Sequence, residues 1–180
     1  MSFLRKRFPE FSQIIPVFAV TTLLVYSWTM YRMLQKLPSW LLYLNFWEIL
    51  SNFSYALVFN FFECLLIAVL IVLLSALLPR RFFTDLFVAQ GSLLSILGTA
   101  YLVYLAIVVG QSKANFFPWD VIRWAPVVGL VILVLVFLLS RVAVIRKGLE
   151  AFADRASVLL YLFIPFSLLG AIVLIVNNLF

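Results

Sequence analysis

The chain has 180 residues, 66% of them hydrophobic and 11% charged, with a formal net charge of +6; a soluble domain holds roughly 45–50% apolar and about 25% charged residues. So short a chain has too little interior to hide that much apolar surface, which excludes a water-soluble globule and leaves lipid as the solvent. There is no histidine and one cysteine, Cys64, which excludes the usual metal and haem ligand, the neutral-pH general base and an intrachain disulfide; a lone thiol of this kind is expected to be small apolar filler.

The predicted elements are apolar runs able to cross about 30 Å of hydrocarbon, which takes roughly 20 helical residues. Helix is the state lipid allows: an open sheet leaves its edges unsatisfied, and barrel strands alternate polar with apolar, whereas 65–74 and 127–139 are almost continuously apolar. Arg5, Lys6 and Arg7 precede a first span predicted at 14–34, with no small-residue cleavage pattern before Arg32. That run is too long for the apolar region of a signal peptide and is expected to stay in the mature protein. Pro38 and a Ser39 placed as an N-cap then open 39–50. A dozen residues are too few to span, so this stretch is predicted to be a short interfacial or re-entrant helix; if it crossed, both termini would lie on one side. Further spans are predicted at 53–78, 86–110, 124–145 and 157–176, the fourth helix running on into a cytoplasmic amphipathic connector over 141–156. The sum is one transmembrane domain over 1–180, an all-α integral membrane protein built as a bundle of five transmembrane helices.

Orientation follows from Lys and Arg, which concentrate in short cytoplasmic loops. With the N-terminus inside, Arg5, Lys6, Arg7, Arg80, Arg81, Arg141, Arg146, Lys147 and Arg155 fall on the inner side and Arg32, Lys36, Lys113 and Arg123 on the outer, nine against four of the 13. The expected topology is N-in and C-out in the plasma (inner) membrane, the inner charges touching anionic headgroups. Scattered over separate loops, they are not a nucleic-acid footprint, and no nucleic-acid partner is expected.

Trp28, Trp40, Trp47, Trp119 and Trp124 all fall on or near the outer side, whereas a plain aromatic belt would populate both interfaces. Asn45, Glu48 and Asn52 share a narrow helical face at spacings of three and four, and Asp120 is placed to cap the fourth span. Trp40, Trp47, Glu48, Trp119, Asp120 and Arg123 are therefore candidate outer-surface contacts, either a belt with a cap or a surface that receives a partner's segment or a lipid-linked substrate. On the inner side Arg80, Arg81 and Asp85 make a basic turn. The connector is expected to be solvated, with Lys147 attracting Glu150 and Glu150 repelling Asp154.

Within the spans Glu63 is the one acid, with Asn60 one turn earlier. A carboxyl there is expected to face the protein interior, either neutral and hydrogen-bonded or paired to a cation. Gly91, Ser95 and Thr99 recur every four residues as a small-residue face. That face is expected to meet the second span, making Asn60, Glu63, Ser95 and Thr99 one intramembrane polar cluster, to which Thr21, Thr22 and Ser27 could add. No phosphate loop, metal-spaced Cys or His set, or nucleophile with its base is present, so no metal or cofactor is expected. Three readings of function follow. The first is a non-catalytic membrane subunit or anchor that assembles with other membrane proteins, expected also because no soluble domain follows the fifth span. The second is a transporter or ion-pathway component using Glu63. The third is an enzyme acting on a lipid-linked substrate at the outer leaflet, with Glu48 or Asp120 as acid or base. The charge distribution makes one direct prediction. With Cys64 changed to alanine, a cysteine substituted for Lys113 reacts with an impermeant maleimide on intact cells, and one substituted for Lys147 reacts only after permeabilisation; outside labelling at 147 reverses the orientation.

Overall fold

The computed structural model describes residues 8–78, 83, 86–111 and 119–179, apart from the side chains at 111, 119–122 and 178–179. Six helices are present among these residues: α1 (Phe11–Tyr43), α2 (Phe46–Leu77), α3 (Phe87–Gln111), α4 (Trp119–Ser140), α5 (Ala143–Ser157) and α6 (Leu160–Leu179). All except α5 are long and apolar enough to cross a membrane, as an integral membrane protein requires. The basic turn expected around Arg80, Arg81 and Asp85 and most of the loop before Trp119 lie outside the described residues.

The short helix expected over 39–50 does not form as a separate element. Residues 39–43 complete α1, Leu44 and Asn45 turn in extended conformation, and 46–50 open α2. Pro38, taken as a boundary, is accommodated inside α1, as are Pro16 in α1, Pro126 in α4 and Pro165 in α6 inside their helices. The break comes instead at Asn45, whose backbone N–H donates to the Glu48 carboxylate at 2.7 Å. An Asn followed three residues later by Glu is a helix-start pattern, the Glu satisfying an otherwise orphaned donor; Ser39 starts nothing. The result is a hairpin of two long helices, 33 and 32 residues, or about 50 and 48 Å. The full thickness of a bilayer with its headgroups is about 40–45 Å.

α1 packs against both α2 and α3, α6 lies on α2, and α4 lies on α3. The spans therefore stand in a row, α6–α2–α1–α3–α4, with α1 at its centre. α5 crosses one end of this row, touching α4, α3, α1 and α6 in turn. The fourth helix does not run on into it: α4 stops at Ser140, and Arg141 turns back so that its guanidinium sits 4.3 Å from the centre of the Phe137 ring. Nor is α5 simply a solvated connector. Its Ala153 and Ala156 are buried against Ala19 and Val20 of α1, small residues that let two backbones approach closely. Its outer face pairs Arg146, not Lys147, with Glu150 at 4.0 Å; at such exposure the pair contributes little.

Residues 17–26 of α1 are enclosed on all sides. Val17, Ala19, Val20, Thr21, Thr22, Val25 and Tyr26 are buried, seven positions in ten that leave no free face. Beyond Tyr26 the neighbours fall away, and Ser27, Met30, Tyr31, Arg32 and Leu34 are exposed. The row is thus tight at the α5 end and open toward the hairpin turn. Tightness on the α3 side depends on Gly91: a Cβ added there would lie 2.9 Å from both methyls of Val17 and 3.5 Å from Ile71. Val17 is itself only 1% exposed and has no room to retreat. Replacing Gly91 with leucine is expected to lower stability by roughly 1–3 kcal/mol through overpacking, read as a lower thermal transition in detergent, while the same change at Gly98, which has open space around it, has little effect.

Candidate functional site

A polar side chain inside hydrocarbon has no water to bond, so it must find a partner in the protein. Four such links tie the row together. Thr21 Oγ1 and Ser95 Oγ are 2.8 Å apart, joining α1 to α3. Thr29 Oγ1 donates to Asn60 Oδ1 at 3.1 Å, joining α1 to α2. The Tyr26 hydroxyl donates to the Leu57 carbonyl at 3.1 Å and is hydrogen-bonded to Ser167, joining α1, α2 and α6. Gln90 Nε2 donates to Ser140 Oγ at 3.0 Å, joining α3 to α4. Each such bond contributes roughly 0.6 kcal/mol and seldom more than about 1.7. Their value lies in fixing the register of one helix on the next.

The four residues expected to form one cluster are therefore divided. Ser95 and Asn60 are buried, but Ser95 faces α1 and so does Asn60. Thr99, one turn beyond Ser95, is half-buried. Glu63, about 60° further round α2, is exposed and makes no hydrogen bond or ion pair among the described residues. The small-residue face of α3 meets Val17 and Thr21 of α1, not Glu63. Thr21 does join this polar network, as its position allowed, while Tyr26 and Ser167 carry a link that the apolar pattern of their spans does not mark. The available signal was a tyrosine among apolar residues one turn after Thr22.

Where α1 and α6 diverge, α2 forms the back wall of an apolar groove of about 860 Å³, lined by Tyr26, Met30, Leu34, Phe53, Phe163 and Phe166 among others. That volume falls within the range of small-molecule sites, roughly 300–1,000 Å³. Close contact holds its wall together: a Cβ at Gly170 of α6 would lie 3.2 Å from the Ser54 carbonyl oxygen of α2. Few polar groups line the space, its side-chain hydroxyls being those of Tyr26, Ser27, Tyr31 and Ser54. Such a surface suits an aliphatic chain or an apolar helix face and offers little to orient a polar reactant.

The outer-surface candidates are also spread out. Trp40 is half-buried, edge-on to Phe53 at 6.2 Å, and so clamps the hairpin turn. Trp47 is exposed beside Phe46, and the Glu48 carboxylate is engaged at the start of α2. Arg123 is exposed near the start of α4, and the side chains of Trp119 and Asp120 lie outside the described ones. Arg32 lies over the Trp28 ring at 5.8 Å. Among the described residues no group of three or more Cys, Asp or Glu could hold a metal ion. No protein-family model, curated protein or solved structure matches this chain. The division between Asn60 and Glu63 has a measurable consequence. Asn60→Leu strands Thr29 without its partner and is expected to cost about 0.6–1.7 kcal/mol, lowering the thermal transition in detergent, whereas Glu63→Leu leaves that transition unchanged or raises it.

Proposed function

We propose that this chain is a non-catalytic polytopic subunit or anchor of the plasma (inner) membrane, with its N-terminus cytoplasmic, which assembles with partner membrane proteins through the α1–α2 hairpin turn. One observation carries the reading. The turn joins two helix ends whose large apolar side chains point away from the protein: Leu42, Tyr43, Phe46 and Trp47 are 77%, 83%, 71% and 69% exposed. Arg32 and Lys36 on α1 mark the polar boundary of the membrane, because cations are costly deeper in. The turn therefore stands at or beyond the headgroups, where such a patch is a contact surface and not a lipid-facing one. Trp40 packed on Phe53 and Glu48 capping α2 hold it in shape, so little ordering is lost on association. On the N-in orientation the turn is extracellular.

A second reading draws on the groove between α1 and α6, whose apolar walls would suit the tail of a lipid-linked substrate. The ion-pathway reading draws on Glu63 alone, since Asn60 bonds to Thr29 and Ser95 to Thr21. The subunit reading is tested by changing Leu42 and Trp47 together to glutamate. A tagged wild-type chain, cross-linked in its native membrane before solubilisation, is expected to retain a stoichiometric partner. The double variant is expected to lose it by about 30-fold in affinity, as for a hot-spot pair worth at least 2 kcal/mol, with an unchanged thermal transition. A wild-type chain that purifies alone under these conditions overturns the reading.

A further inference from the structure

We infer that the exposed face of α2 around Glu63 seats a transmembrane helix of a different protein carrying a lysine or arginine at the same depth. The inference rests on the subunit reading above and adds a second surface and the chemistry of the partner. Glu63 is the eighteenth of the 32 residues of α2, near its middle. The other side of α2 is occupied: Ser54, Asn60, Cys64, Ala68 and Ile71 are buried there, and Gly170 of α6 lies against Ser54. The Glu63 side is uncovered, with Phe59, Phe62, Leu66 and Leu70 exposed around it. A carboxyl in hydrocarbon is expensive unless a partner group reaches it, and intramembrane acids characteristically pair within protein.

Among the described residues no cation lies beside Glu63 to pair with it. Arg32, Lys36 and Arg123 lie toward the hairpin-turn side, Arg141, Arg146, Lys147 and Arg155 lie at or on α5, and the remaining cations fall outside the apolar runs. A second copy would bring only the same residues, acid against acid. Lipid headgroups lie at the edge of a hydrocarbon layer about 30 Å thick, whereas Glu63, one turn inside the Thr29–Asn60 bond, lies about 9 Å inward of the level of Arg32. A helix from another chain satisfies every condition: its cation pairs with Glu63, and the surrounding phenylalanines and leucines seal the pair from lipid, as apolar rims do around interface hot spots. Removing one member of such an enclosed pair strands the other, so the acid acts as a strict selector of partner.

The test uses the full chain in vesicles of phosphatidylcholine and phosphatidylglycerol, donor-labelled at Ser39→Cys with Cys64 changed to alanine. The probe is an acceptor-labelled synthetic transmembrane peptide of leucine and alanine with one central lysine. Energy transfer is expected at concentrations at least about tenfold lower than for the same peptide without lysine, and Glu63→Leu is expected to abolish the difference without altering the thermal transition. Equal binding of both peptides, or a preference that survives Glu63→Leu, overturns the inference. In native membranes a photo-reactive residue at Leu66 is expected to capture another protein through a segment bearing a lysine or arginine; capture of a second copy of this chain, or of lipid alone, overturns it. If Glu63→Leu keeps a partner that the Leu42 and Trp47 variant loses, this inference fails while the subunit reading stands. Loss of both readings would show as no partner at either surface.

Discussion

A hydroxyl or amide in hydrocarbon has no water to fall back on, and in this protein that constraint converges on one stretch of helix, residues 17–26 of α1. Thr21 reaches Ser95 of α3, and Tyr26 reaches the Leu57 carbonyl of α2 and Ser167 of α6. One turn further on, Thr29 reaches Asn60 of α2. Apolar contact alone could not choose these registers, because lipid tails are as apolar as leucine and helix association gains little from burying one against another. Small residues make the choice possible by bringing the hydroxyls within reach. Gly91 lets α3 close onto Val17, and Ala153 and Ala156 let α5 lie on Ala19 and Val20.

The same arrangement explains why the two ends of the molecule differ. At one end α5 crosses the row and completes the enclosure of α1, so packing there is dense and the backbone has few alternatives. Toward the hairpin turn the polar links run out after Thr29, and α1 separates from α6 to leave the groove. A region with fewer buried contacts opens at lower free energy than the packed end. The groove belongs to this looser half, and its walls are the part of the molecule best able to adjust to something bound against them.

Asn60 and Glu63 show how narrow the margin is between a structural and an outward polar group. Three helical residues turn through about 300°, so the two side chains sit only about 60° apart around α2. That is enough to set Asn60 against Thr29 and to leave Glu63 outside the protein. The amide is absorbed into the fold; the acid is left as a demand on whatever surrounds it.

The solvent, the helical state and the five apolar spans are legible in the residues alone, because hydrocarbon leaves the backbone no other way to satisfy its hydrogen bonds, and composition reports that directly. The sequence also held the start of α2 in plain sight, in Asn45 and Glu48, although Pro38 and Ser39 drew the boundary to the wrong place. Which helix each polar or small residue faces emerges only when the helices are packed together. The recurrence of Gly91, Ser95 and Thr99 marks a close-packing face without saying whether α1 or α2 will occupy it, and the depth of Glu63 in the sequence carries no information about its direction. Period and composition fix how far a residue lies along a span. Its direction depends on the order of the helices in the row, and that order is set by contacts between residues such as Thr21 and Ser95, 74 positions apart in the chain.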